Sequence, residues 1–371
     1  MVADSDPSKW VMAGHTQAKH EILKKYLAAW FPIISSNRGR VVYIDGFAGR
    51  GRYDDGSEGS PQLALRTLLE HNALATRANC EFLFMFIEKN RSNAEALEAE
   101  LEAMEAGWPD WPENVKWGVF NASFDDHMEE LFQVMRDQNK QLAPTFAFVD
   151  PFGYTRFPMD VLAQLGKTPN SELFINFMVG FVQRFVGREG QEKPVRELYG
   201  MAVEEVMENY LAGKDRIEHL VEVYMDALKS KADFSYAQRF YMINHTGNVS
   251  YALVHVTNEP LGVKKMKAAM WGADPSGQYR YSDRMGSTPV LFVPDPDLGP
   301  LKGSLLREFA GESGVTGEQV RWHAILRTPF RETHATVAMR ELEKAGEIEV
   351  HRPPGKRQFA AGVTLSFPAV S

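Results

Sequence analysis

The stretch Val41-Val42-Tyr43-Ile44-Asp45 is a run of β-branched and aromatic residues ending in an acid, and Gly46-Phe47-Ala48-Gly49-Arg50-Gly51 follows without a break. Such an apolar run reads as a buried parallel strand. Glycines at 46, 49 and 51 let the chain turn sharply and bring its backbone amides close to a ligand. Ser60-Pro61 then supplies an N-cap and a first helical residue, and Leu63, Leu65, Leu68 and Leu69 carry a helix over 61–69. Strand, glycine loop and helix together open nucleotide-binding α/β domains. No Lys-Ser/Thr follows the glycines, so this is not a phosphate-gripping P-loop. A purely structural turn is the plain alternative, and the rest of the chain decides between the two.

The elements around this stretch keep one rhythm. A helix led by His15-Thr16-Gln17-Ala18-Lys19 runs to about Trp30, with Ile22, Leu23, Tyr26, Leu27 and Trp30 on one apolar face. His15, Thr16 and Lys19 share a side of its first turns, either a solvated face or a lid over a cofactor. A second strand, 81–88, ends in Glu88, one βαβ unit beyond the glycine loop, where an acid holds the two hydroxyls of a ribose. A third, 115–120, exits through Asn121 and Ser123; a fourth, 145–150, ends in Asp150-Pro151-Phe152-Gly153; a fifth, 173–177, carries Asn176, with Arg184 beyond it. Helices are expected at 93–105 and 126–138, then a longer helical stretch over 192–231. Runs at 240–245 and 250–256 flank Thr246-Gly247-Asn248 and read as a hairpin. The expected fold is therefore α/β: a mixed, doubly wound sheet finishing in an antiparallel hairpin, the arrangement that separates methyltransferases from dehydrogenases.

A chain of 371 residues, 44% of them hydrophobic, has room for a large core and a second domain. We expect a first domain over 1–275, a proline-rich linker over 276–300 with a short strand at 290–293, and a second domain over 301–371. Helices at 301–311, 317–326 and 331–345 precede a hairpin (347–350 and 362–365) tipped by Arg352-Pro353-Pro354-Gly355-Lys356-Arg357, the winged helix-turn-helix pattern. Its third helix offers Thr333, His334, Thr336 and Arg340 to a groove. The net charge is −8, yet residues 301–371 hold 10 Lys and Arg against 8 Glu, so any nucleic-acid surface is local. No apolar run reaches membrane-spanning length, and residues 1–9 are polar rather than a signal peptide. The lone cysteine, Cys80, excludes disulfides within the chain and fits a reducing, cytoplasmic setting. The ten histidines show no metal-ligand spacing, Asp125-Asp126 reads as a helix cap, and no metal is expected.

The order Asp45-x-Phe47-Ala48-Gly49-x-Gly51 resembles motif I of class I S-adenosylmethionine (SAM) methyltransferases. More broadly, His15-Thr16-x-x-Lys19, Tyr43–Gly49, Gly59-Ser60-Pro61 and Asp150–Gly153 together resemble the three-Cys-motif partner (TcmP) family. This resemblance implies a class I methyltransferase that uses S-adenosyl-L-methionine, a winged helix at its C-terminus, and a partner similar to the radical-SAM iron–sulfur proteins. It supplies no substrate.

Amino-methylating enzymes place an acid or amide, two prolines and an aromatic ring at the tip of strand four, where they accept the amine's protons and stack its base. Asp150, Pro151 and Phe152 offer the carboxylate and the ring, with only one proline. Asp45, Gly46, Phe47, Ala48, Gly49, Gly51 and Glu88 are expected to hold the cofactor, with Asn121 and Ser123 near its adenine. Lys19, Arg50, Asn176 and Arg184 are expected to meet substrate, as are Arg340, Lys356 and Arg357 in the C-terminal domain. The reading is a SAM-dependent methyltransferase acting on an amino nitrogen of a nucleic-acid base. Its alternatives are a non-catalytic SAM-fold adaptor for a three-Cys-motif protein or DNA, and methylation of a protein or small metabolite.

Overall fold

The computed structural model describes residues 14–37, 39–72, 77–154, 157–208, 215–274, 280–282 and 296–369. They divide into two compact units, one running to Gly262 and the other beginning at Val263, with Tyr281 belonging to the first. The strand expected at 290–293 and the polar segment 1–9 lie outside the described residues.

The first unit is built on a sheet of β1 (Arg40–Asp45), β2 (Glu81–Ile87), β3 (Val115–Phe120), β4 (Thr145–Val149), β5 (Glu172–Phe177), β6 (Tyr236–Ile243), β7 (Val249–Thr257) and a short edge strand, β8 (Arg280–Ser282). Their order is β3-β2-β1-β4-β5-β7-β6-β8. The first five pair in parallel, whereas β7 is antiparallel to both β5 and β6. This is the mixed, doubly wound sheet with an antiparallel hairpin expected from the spacing of the strands. Val41–Asp45 and all of β4 and β5 are buried, which explains their continuous apolar runs. Asp45 lies opposite both Phe86 and Phe148, and Val149 opposite Ile175. That register brings the ends of β1, β2, β4 and β5 to one edge.

Helix α1 (Gly14–Ile34) covers the sheet through Ile22, Leu23, Tyr26, Leu27, Trp30 and Phe31. Tyr26 and Trp30 pack on Phe146, and Phe31 on Phe84. At the opposite end of the sheet Glu172 accepts hydrogen bonds from the Tyr26 hydroxyl and, at 2.9 Å, from His255 Nε2, so the helix is pinned by a buried polar contact as well as by its apolar face. Helices α2 (Ser60–Leu69), α3 (Arg91–Gly107), α4 (Phe124–Asp137), α5 (Met159–Gly166) and α6 (Val179–Phe185) follow successive strands. The helical stretch expected over 192–231 is broken into α7 (Glu192–Tyr199), α8 (Val203–Met207) and α9 (Arg216–Lys231). Gly200, at φ 65°, ends α7 in the left-handed conformation, and Asp215 starts α9 by accepting from the amides of Ile217 and Glu218.

In the second unit, residues of α10 (Pro260–Ala273) precede α11 (Gly299–Glu308), β9 (Val315–Thr316), α12 (Gly317–Arg327), α13 (Glu332–Ala345), β10 (Glu349–His351) and β11 (Thr364–Ser366). The strands form a sheet in the order β10-β11-β9, completing a winged helix-turn-helix. Trp271, Leu301, Leu305, Val320, Met339 and Leu342 are among its core residues. His334, expected to face a groove, instead points inward. It is 7% exposed, its ring lies 4.3 Å from that of Trp271, and its Nδ1 accepts from the Arg331 amide. As the third residue of α13 it folds back to satisfy a free amide at the helix start, which the helical period alone does not reveal.

Candidate functional site

The turn after β1 is tied to both neighbouring strands. The Gly46 amide donates to Phe148 O at 2.9 Å and that of Ala48 to Ile87 O at 3.0 Å. Gly49 and Gly51 have φ of 65° and 86°. A Cβ at Gly46 would stand 2.6 Å from the Phe124 ring, which excludes a side chain sterically, and at Gly51 the left-handed backbone disfavours one. Residues 52–58 form a side excursion, for the Gly59 amide returns to Gly51 O at 2.6 Å and Arg52 bridges to Glu58. Within it Arg52 pairs with Glu100 at 2.9 Å, and Arg50 pairs with Asp54. Both arginines are thus held by local carboxylates.

Asp45 is fully buried at the tip of β1. Burial raises its pKa to about 7, only partly opposed by the nearby Ser60 hydroxyl, by the hydrogen bond from the Phe47 amide and by the Lys19 charge. Its Oδ2 has no hydrogen-bond partner. Nor have Nε2 and Oε1 of Gln62, which is 1% exposed in the first turn of α2. Glu88, just past β2, accepts from the Gly49 amide at 2.9 Å through Oε2 and from Asn90 at 2.7 Å through Oε1. The acid and the glycine loop expected to share a cofactor are therefore in direct contact. Asn121 is exposed beside them and donates to the carbonyls of Glu88 and Lys89, both at 3.0 Å. Ser123 instead turns to Asp125 and Asp126 at the start of α4.

At the tip of β4, Asp150 receives Lys19 from α1 through Oδ2 and Asn176 Nδ2 from β5 through Oδ1, the latter at 2.6 Å. Lys19 is 6% exposed. The first helix therefore contributes a buried cation to the site rather than a solvated face. Asn176 is 5% exposed and its Oδ1 has no partner. Next to Lys19, burial and that cation lower His20 to about 4, so its imidazole is neutral. Tyr43 is raised well above its ordinary value by burial and by the nearby carboxylates of Asp45 and Asp150. Pro151 is buried, whereas Phe152 is 87% exposed.

Lys19, Asp45, the glycine loop, Glu88, Asn121, Asp150, Phe152 and Asn176 thus gather at one edge of the sheet, and Arg184 stands on α6 just beyond β5. Arg340, Lys356 and Arg357 belong to the winged-helix unit, where Arg340 donates to Gln358 at 2.9 Å. Gln62 and His20 are not singled out by the sequence, and Ser60 and Tyr43 figure in it only as a helix start and a strand residue within the motifs. The only signal for Gln62 was a polar residue directly after the Ser-Pro helix start. A pocket of about 570 Å³ lies beside this edge, bordered by Tyr154 and Phe157 and by the acids Asp125, Asp126, Glu129 and Asp160. Among the described residues no three His, Cys, Asp or Glu side chains cluster as metal ligands, and no helix is long and apolar enough to cross a membrane.

Residues 280–355 match the family described as the GMT-like wHTH domain. A search of curated proteins finds no significant match. Among solved structures, the chain is similar to protein LPL1258 from Legionella pneumophila, at 13% identity over 67% of this chain and 87% of that one, with a TM-score of 0.39. It is also similar to Trm1 from Pyrococcus horikoshii in complex with S-adenosyl-L-methionine, at 11% identity over 69% and 59%, TM-score 0.35. A third is the plantazolicin methyltransferase BamL in complex with a triazolic desmethylPZN analog and SAH, at 13% identity over 66% and 86%, TM-score 0.30. These are likenesses of fold, and the chemistry of the site rests on its own geometry.

Proposed function

We propose that this protein is a SAM-dependent methyltransferase acting on an amino nitrogen of a nucleic-acid base. One observation carries the cofactor: Asp45 Oδ2 and both amide atoms of Gln62 are buried and without partners at the glycine loop, and Asn176 Oδ1, at the Asp150 end of the same sheet edge, is buried and without one too. Buried polar atoms left in this way cost free energy until a ligand satisfies them. SAM presents an ammonium, a carboxylate and two ribose hydroxyls, which match a carboxylate, an amide, and a loop of backbone donors. Glu88 has one amide on each oxygen, so a second lone pair on each is left for a ribose hydroxyl. Asp45 suits the ammonium, whose charge offsets the burial of the acid.

SAM supplies the electrophilic methyl group, and the chain has to hold an acceptor lone pair in line with it. Asp150 is suited to this. Each of its oxygens has one protein partner and keeps a lone pair for an acceptor N–H, while Lys19 and Asn176 fix its orientation. The exposed Phe152 ring beside it offers a flat face to a planar base.

Calorimetric titration with SAM, on wild type and on Glu88→Ala, tests the cofactor. Binding by the first and its loss in the second are expected, and no binding by wild type would refute the enzyme. Incubation with methyl-labelled SAM and separate DNA, RNA and protein fractions tests the acceptor, and label confined to protein would remove the nucleic-acid substrate.

A further inference from the structure

Beyond Asp150 the same edge carries a feature that the cofactor does not use. Helix α6 follows β5 directly and bears Phe181, Arg184 and Phe185, with Arg188 in the turn after it. The Arg184 guanidinium lies 5.8 Å from the Phe181 ring centroid, and that of Arg188 5.3 Å from Phe185. Phe185 stacks on Tyr154 at 5.8 Å, which joins this patch to the loop that carries Asp150 and Phe152. Phe181 is 39% exposed and Phe152 far more so. Among the described residues neither guanidinium has a carboxylate partner. The helix is firmly seated: Val179 and Val182 are buried, and a Cβ at Gly180 would stand 2.8 Å from Ser250 O.

Exposed aromatic rings and guanidiniums without a carboxylate partner, at the lip of a methyl-transfer edge, suit an unpaired nucleic-acid strand. Its base faces stack on rings and its phosphates meet guanidiniums, whereas a duplex hides the base faces. The acidic pocket that also borders Tyr154 repels a polyanion and so confines the strand to the α6 side. In the winged-helix unit, by contrast, α13 carries Glu332, Glu341 and Glu343. They pair with Lys264 at 2.8 Å, Lys302 at 3.0 Å and Arg352 at 2.5 Å from neighbouring elements and outnumber the helix's own Arg340 and Lys344, so the helix presents no excess of positive charge.

We propose that α6 and the turn after it, together with Phe152, form a docking surface for single-stranded nucleic acid. Phe152 and Phe181 stack bases at and beside the acceptor, and Arg184 and Arg188 meet the adjoining phosphates. This rests on the methyltransferase reading and names the form in which its substrate arrives.

The test is fluorescence anisotropy of the full chain with labelled DNA and RNA oligonucleotides of about 12 nucleotides, single-stranded and as duplexes. Single strands should bind more tightly than duplexes. Phe181→Ala should weaken single-strand binding by about tenfold. The double variant Arg184→Ala/Arg188→Ala should flatten the slope of log affinity against log salt by about 1.4. Lys140→Ala/Lys167→Ala, exposed lysines of the first unit outside this surface, should leave single-strand affinity unchanged. A preference for duplex, no binding to any oligonucleotide, or α6 variants that bind single strands as tightly as wild type would overturn the proposal. SAM calorimetry on the same proteins separates the two readings. Retained SAM binding without single-strand binding overturns only the docking surface; absent SAM binding in wild type overturns the methyltransferase.

Discussion

Replacing Asp45 by Asn should stabilise the ligand-free protein while weakening its hold on SAM. In the unfolded chain this carboxyl ionises at its ordinary value of 3.8, but in the fold it keeps its proton to about 7. Between those values the folded state binds one more proton than the unfolded state, so stability falls as pH rises. The protection is complete below 3.8 and gone above about 7. Some three units at 1.36 kcal/mol each make about 4 kcal/mol. Asp45→Asn keeps the shape but cannot ionise. Chemical denaturation should find the variant within about 1 kcal/mol of wild type at pH 4 and more stable by up to about 4 kcal/mol at pH 8. SAM should act in the opposite direction, with calorimetry showing at least tenfold weaker binding to the variant at pH 8, as expected for a lost charge-assisted hydrogen bond. In wild type that affinity should itself decline as pH drops below 7. A stability difference that does not change with pH, or a variant less stable than wild type at pH 8, would refute the reasoning.

Three further outcomes are expected. Glu88→Gln turns one carboxylate oxygen into an amide donor facing backbone N–H groups, and should weaken SAM binding by about tenfold or more in calorimetry. Asp150→Asn should leave SAM affinity within about threefold of wild type while slowing single-turnover methyl transfer by about a hundredfold, the scale of a lost proton-accepting group. Lys19→Met leaves the partly buried Asp150 without its cation, and should destabilise the protein by about 1–3 kcal/mol in denaturant titrations.

Much of this molecule is written locally. Val41–Asp45 had to be a buried strand because five apolar or acid-capped positions in a row have no solvent face to offer, and Gly49 and Gly51 had to turn because their backbone angles suit glycine. The acids at the strand tips, Glu88 and Asp150, were legible for the same reason: each ends an apolar run. The broken helices over 192–231 were less so, because their boundaries depend on a left-handed glycine and an aspartate cap rather than on apolar period. His334 shows the limit of a helical wheel, since a single polar residue of the right spacing folded inward onto Trp271.

The amino-acid sequence by itself determined which segments become strands, where the chain turns, and that acids stand at the ends of those strands. Only the tertiary structure decided that Lys19 meets Asp150 across 131 positions, that Asn176 shares that carboxylate, and that Gln62 stands unpaired against the glycine loop. The physical reason is one of range. Period and propensity act over a few residues and settle which face is buried, whereas the partner a buried polar group finds depends on which strands lie side by side, and that is settled by packing the whole sheet.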